Sequence, residues 1–295
     1  MISIVWSILT YPKTKLGDVE SNALFLAAVY HDVVYKPESN TNEKDSVSFM
    51  LETLKQFPNS LVTPEVIEKA SKLILDTADL DCSNILNYYD RQFIINEQED
   101  ELLDYSSKIW KEFNFHSWED FKKGHLEIVT KINPQLRFYK NFLDKIRPRV
   151  GLYVGSFNPL HIGHKFIADE ASKIFDKVIL ASGTNPDKVN CATYSTGILS
   201  STVFNRYQTI SFGGLLSNVV SELERQYDVT IVRGVRNGQD LEYGRMQDVF
   251  LKKIKPDIKV VYINSPSELS HISSSAIKNL INLGATDVAK EMLWI

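Results

Sequence analysis

The chain has 295 residues, 43% hydrophobic and 24% charged, a composition that fits a folded core and excludes a disordered chain. With 33 Lys and Arg against 37 Asp and Glu, the net charge of −4 excludes the basic footprint of a general nucleic-acid binder. Two cysteines, Cys82 and Cys191, exclude a disulfide framework or a zinc cluster. No apolar run approaches a membrane span. Met1 to Leu9 (MISIVWSIL) lacks the basic start and small-residue cleavage site of a signal peptide. A reduced, cytoplasmic protein that partners small molecules, with no membrane or nucleic-acid partner, is expected.

Roughly 150 residues per domain suggests two domains, and composition divides the chain in the same way. Of the 13 glycines, only Gly17 and Gly124 precede residue 149. Residues 1–148 carry 17 basic against 23 acidic side chains, and residues 149–295 carry 16 against 14. Pro148 disfavours helix at the residue before it, so the boundary is placed at 147–149, giving domains 1–148 and 149–295.

In chain order, the first half reads as helices. Asn22 to Val34 is an apolar run of helical length. Helical periodicity continues over Ser46 to Phe57, Thr63 to Asp76, Glu97 to Phe113, Ser117 to Lys131 and Pro134 to Ile146. Thr63 before Pro64 and Ser117 before Trp118 are capping residues. The second half alternates. Strands are predicted at Val150 to Val154, Lys177 to Ser182, Val229 to Val232 and Ile258 to Ile263. Helices are predicted at Ile162 to Phe175, Leu215 to Tyr227, Gln239 to Ile254 and Ser274 to Leu283. That alternation predicts an α/β fold with parallel pairing and right-handed crossovers. Ligands of such sheets bind at the carboxyl ends of the strands.

The first strand runs into Gly155-Ser156-Phe157-Asn158-Pro159-Leu160-His161-Ile162-Gly163-His164. A helix start there presents free backbone N–H groups and a positive dipole end, which suit phosphate. His161 and His164, three apart, share one side of the first turn and can donate hydrogen bonds to phosphate oxygens. Gly163 permits close approach.

This HxGH segment resembles the HxGH nucleotidylyltransferase (cytidylyltransferase-like) superfamily, and the resemblance continues in order. Gly183-Thr184-Asn185-Pro186-Asp187-Lys188 resembles its lysine-bearing loop, and Gly214-Leu215-Leu216 the segment before its third helix. Val232 to Tyr243, with Arg233-Gly234-Val235-Arg236, Asp240 and Glu242, resembles the RGxR…DxEY segment, and His271 to Ser275 the terminal ISSS motif. Together the segments are most similar to the pantetheine-phosphate adenylyltransferase family. The resemblance implies a Rossmann-like doubly wound sheet and transfer of AMP from ATP to 4′-phosphopantetheine, with Mg²⁺ entering with ATP and a homo-oligomer as the expected assembly. It implies catalytic roles for His164, His161, Lys188 and Arg236. It implies nucleotide contacts from Gly155, Ser156, Phe157, Gly163, Arg233, Gly234, Asp240, Glu242, Ser273, Ser274 and Ser275. Adenylyl transfer by in-line attack needs positioning and charge stabilisation, which these side chains can supply. The sequence departs from that pattern at Asn158 (usually Asp), His161 (usually Thr) and Gly244 (usually acidic), and over Val189 to Gln208. Other readings of the same site are a nicotinamide mononucleotide adenylyltransferase and a nucleotide sensor without catalysis.

In the first half, Tyr30-His31-Asp32-Val33-Val34-Tyr35, Asn42-Glu43 and Ala78-Asp79-Leu80-Asp81 resemble small HD-type phosphohydrolases. Adjacent His31 and Asp32 could share a metal, and a bifunctional transferase and hydrolase follows as a further alternative. The upstream histidine of that pattern is missing, since no His precedes His31. An all-α, degenerate HD-like domain kept for packing or regulation is expected.

Overall fold

The computed structural model describes residues 16–57, 62–79, 84–95, 99–183 and 207–294. Two compact units emerge. One runs to Phe113 and resumes over Lys122–Leu143; the other comprises Asn114–Phe121 and the chain from Asp144 onward. Among the described residues no helix is long and apolar enough to cross a membrane.

The first unit is helical. Its described helices are α1 (Asp18–Tyr30), α2 (Asn42–Gln56), α3 (Pro64–Leu75), α4 (Ile85–Asp90), α5 (Gln92–Ile95), α6 (Glu99–Glu112), α7 (Trp118–Ile132, whose residues up to Phe121 belong to the other unit) and α8 (Tyr139–Leu143). Leu24, Met50, Ile74 and Leu86 are fully buried and tie α1 to α4 together. The Thr63 side chain accepts from the Val66 amide with Pro64 at the first helical position, and Ser117 accepts from the Asp120 amide. Short helices α4 and α5 were not legible in the sequence, because neither is long enough to show periodicity.

The second unit is a five-stranded parallel sheet flanked by helices, a Rossmann-like arrangement. Its strands are β1 (Arg149–Gly155), β2 (Lys177–Gly183), β3 (Gln208–Phe212), β4 (Asp228–Val235) and β5 (Lys259–Asn264), in the order β3-β2-β1-β4-β5. The helices are α9 (Ile162–Ile174), α10 (Leu216–Leu223), α11 (Gly238–Ile254), α12 (Ser274–Asn282) and α13 (Thr286–Glu291). Central β1 pairs with β2 on one side and β4 on the other, Leu152 facing Ile179 and Ile231, all fully buried. The chain therefore winds outward from β1 in both directions and reverses between β1 and β4, the position where such sheets open a ligand crevice.

Three elements differ from expectation. Edge strand β3 is five residues long and half-exposed, so its sequence lacks the apolar run of the buried strands. The helix predicted to reach Tyr227 closes at Leu223, because Tyr227 turns inward and is buried. Helix α13 carries the chain back to the sheet: the Met292 carbonyl accepts from the Ile162 amide, and Trp294 is buried.

At the amino ends of the strands, residues 114–121 pack on the same unit. The Lys177 ammonium donates to the His116 carbonyl at 3.0 Å, and the Asn114 amide to the Asp176 carbonyl at 3.2 Å. Burial lowers the Lys177 pKa to about 8. The buried Tyr227 hydroxyl accepts from the Trp118 amide, the first helical N–H of α7, at 3.0 Å. Tyr227→Phe removes that bond and nothing else; we expect a loss of about 1 kcal/mol, read as a lower denaturant midpoint. An unchanged midpoint contradicts a stabilising role for the contact.

Candidate active site

At the carboxyl ends of β1 and β4 lies a cavity of about 410 Å³. The loop leaving β1 turns through Phe157, whose φ of 47° lies in the left-handed region that side chains rarely adopt. That turn delivers His161 as the N-cap of α9. His161 Nδ1 accepts from the His164 amide, and His164 Nδ1 accepts from the His161 amide, each at 3.3 Å. The two residues thus form a capping box built from imidazoles. Their rings stack with centroids 3.6 Å apart, and a Cβ on Gly163 would lie 3.0 Å from His161 Nδ1, so a side chain there would press on the ring.

A ring nitrogen that accepts an amide proton carries none of its own, so in both rings the proton sits on Nε2. Electrostatics enforces the same state. Burial, then the positive Arg236, lowers the His161 pKa to about 4. Burial, then His161 and Arg236, holds His164 well below its ordinary value. Two neutral Nε2–H donors result. Phe157 does not line the cavity; it packs edge-on against Tyr153 and His164, 5.2 and 5.1 Å between centroids, and supports the ring from behind.

Opposite, β4 supplies Arg233 and the turn after it Arg236. Arg236 is held bidentately by Asp240, Nε to Oδ2 at 2.8 Å and Nη2 to Oδ1 at 3.0 Å. Its Nη1 also donates to the Ile272 carbonyl at 3.3 Å. Burial pushes the Asp240 carboxyl up, but bonding to Arg236 more than offsets this and holds it below the usual range. Asp240 lines the cavity with both oxygens committed to Arg236, so its contribution runs through that arginine. Arg233 donates from Nε to Asp248 Oδ1 at 2.8 Å and from Nη1 to Gln247 Oε1 at 2.9 Å.

Ser273 caps α12, accepting from the Ala276 amide at 3.1 Å, and Ser274 donates to the Pro159 carbonyl at 3.0 Å, tying the two helix starts together. Both line the cavity with Ser275, as do Gly155, Ser156, Gly163 and Gly234. Glu242 does not: it is exposed, two residues beyond Asp240 and hence on another face of α11. Lys188 lies outside the described residues. Tyr243, the tyrosine of the DxEY segment, lines the cavity, as do Tyr153, Gln247 and Ser265, which were not singled out in the sequence. Gln247 was within reach of periodicity, since it stands one turn beyond Tyr243 on α11.

The expected HD residues stand in the helical unit. His31 ends α1, with Nδ1 3.1 Å from the Ala28 carbonyl. Its Nε2 lies 3.2 Å from Asp32 and 3.9 Å from Asp90. Burial opposes charge on His31, yet Asp32 and Asp90 raise its pKa overall. Among the described residues no group of three or more His, Cys, Asp or Glu is arranged to hold a metal.

The capping geometry predicts that His161 stays neutral and protonated at Nε2 well below pH 6.5. Between that unfolded value and the folded value of about 4, the unfolded chain binds a proton that the folded ring refuses, so this ring's contribution to stability falls as pH drops through the window. Nitrogen-15 NMR of the imidazoles at about pH 6 should show neutral rings with the proton on Nε2; an imidazolium signal for His161 there contradicts the geometry.

A cytidylyltransferase-like family model matches residues 152–280, wholly within the second unit. Phosphopantetheine adenylyltransferase of Streptococcus suis (strain 05ZYH33) is 31% identical over 135 residues, 45% of this chain and 83% of the relative. That of Streptococcus pneumoniae (strain CGSP14) is 33% identical over 147 residues, 46% of this chain and 85% of the relative. That of Clostridium kluyveri is 34% identical over 137 residues, 45% and 82% respectively. Likeness at this level, spanning most of each relative's length, places the chain through its α/β unit in the phosphopantetheine adenylyltransferase family.

Proposed function

We propose that the α/β unit transfers AMP from ATP to 4′-phosphopantetheine, giving dephospho-coenzyme A and pyrophosphate. The observation that carries this reading is the pair of neutral, mutually capped imidazoles facing two anchored arginines across the β1–β4 crevice. A phosphate oxygen of the acceptor attacks the α-phosphorus of ATP in line; a new P–O bond forms, the bond to the β-phosphate oxygen breaks, and pyrophosphate leaves with its electron pair. No covalent enzyme intermediate is required, so the work of the protein is positioning and charge stabilisation.

His164 and His161 donate from Nε2 to α-phosphate oxygens as charge spreads over them. Being neutral, they release no proton and need none returned. Arg236 and Arg233 hold the remaining phosphates through directed N–H groups. The start of α12 at Ser273 to Ser275 offers amides and hydroxyls to the same anion. Lys188, five positions beyond the end of β2 in the sequence, neutralises charge on the transferred phosphate. Mg²⁺ belongs to the substrate, arriving on the phosphates of ATP. The transfer chemistry is assigned to residues 149–295. The helical unit keeps an HD-like His-Asp pair in a packing or regulatory role, without hydrolysis.

Two outcomes follow. The purified full chain given ATP and 4′-phosphopantetheine should release pyrophosphate and form dephospho-coenzyme A, and nicotinamide mononucleotide should be a poor acceptor; the reverse preference overturns the acceptor assignment. His164→Ala should lower kcat about 100- to 1000-fold while changing ATP affinity far less, as expected when one preorganised donor to developing charge is lost. Unchanged turnover in the folded variant removes His164 from the chemistry.

A further inference from the structure

Arg233 on β4 and Tyr262 on β5 are register partners in adjacent parallel strands. Over them runs α11, on which Gly244 and Asp248 are one turn apart and share a face. Asp248 is buried; its Oδ1 accepts from Arg233 Nε at 2.8 Å and lies 2.7 Å from an Nη nitrogen. The Tyr262 hydroxyl donates to the other oxygen, Oδ2. A Cβ at Gly244 would lie 3.1 Å from Tyr262 Cε1 and 3.3 Å from Arg233 Cδ. A side chain at 244 would press on both the tyrosine ring and the arginine stem, so glycine leaves them room beside Asp248. The acidic group absent at residue 244 is present one turn further on.

A guanidinium has five N–H groups in a rigid fork. Asp248 engages Nε and one Nη, and Gln247 one hydrogen of Nη1. One hydrogen on each Nη is left for a ligand. Arg233 and Gln247 line the cavity, whereas Asp248 does not. We infer that Asp248 and Tyr262 are positioning residues for the nucleotide: they clamp one edge of the Arg233 guanidinium so that its free edge meets the phosphates of a nucleoside triphosphate. Clamping removes rotamer freedom before binding, so less is lost when the anion arrives.

This inference rests on the reading of the cavity as an ATP site. Charge and orientation make opposite forecasts for D248N. Removing a negative charge near an anion site strengthens binding if net charge alone matters. Losing the clamp weakens binding if orientation matters.

The test is a thermodynamic cycle on the full chain, measuring ATP affinity by calorimetry for wild type, D248N, R233A and the double variant, with KM and kcat for the transfer alongside. The expected result is that D248N weakens ATP binding about tenfold, chiefly in KM, and changes it less than about twofold in the R233A background. Y262F should weaken binding in the same direction by a smaller factor. If D248N does not fold, Y262F lacks a single oxygen and carries the same cycle against R233A. Tighter or equal ATP binding by D248N, or the same loss with and without Arg233, overturns the inference. A wild type that binds ATP but transfers nothing sinks the proposed function while leaving the binding cycle decisive. A wild type that does not bind ATP sinks both.

Discussion

The reciprocal bonds between His161 and His164 are the constraint on which the site depends. A helix start leaves amide hydrogens without intrahelical partners, and a phosphate site wants those hydrogens available. Here two imidazoles each take the amide of the other, and each can do so only with an unprotonated Nδ1. Protonating either ring would set an N–H against an N–H. The tautomer is thus written into the helix cap, and burial with the nearby Arg236 keeps both rings neutral. Tyr153 and Phe157 pack edge-on behind the His164 side of the stack, and Gly163 leaves the His161 ring uncrowded.

The arginines across the crevice follow a complementary rule. Each is paired with an aspartate from α11, Asp240 in its first turn and Asp248 further along. Such pairs contribute little net positive charge to the cavity. What they present to an anion is a set of N–H groups in fixed directions, which is the form of electrostatic stabilisation that needs no reorganisation when charge develops. Neutral histidines and paired arginines therefore act alike: both offer aimed dipoles, and specificity follows from geometry.

The helical unit keeps its own buried polar groups. Ser106 hydrogen-bonds His125 at 2.7 Å and Tyr139 at 2.5 Å, and burial lowers the His125 pKa to about 4, so this ring too is neutral. His31 behaves in the opposite way, because Asp32 and Asp90 favour its charged form. Two histidines of one unit are thus shifted in opposite directions, His125 by burial and His31 by its carboxylate neighbours, and the sequence conveys this only for His31, through the adjacent Asp32.

What the sequence determined by itself was periodic or ordered along the chain. Alternating apolar strands and helices fixed an α/β unit, since a parallel sheet buried on both faces has to be written as near-continuous apolar runs such as Val150 to Val154. The segments Gly155 to His164, Val232 to Tyr243 and His271 to Ser275 identified most of the cavity wall, because each runs into the start of a helix at the carboxyl end of the sheet. Tertiary structure alone decided the rest. Strand β3 is an edge with little burial to impose a pattern, and α13 is too short for one. Glu242 faces away from the cavity while Gly244 and Asp248 turn toward Arg233, a distinction set by the pitch of α11 against β4 and β5. The register that sets Arg233 beside Tyr262, 29 positions later, exists only once the sheet has formed.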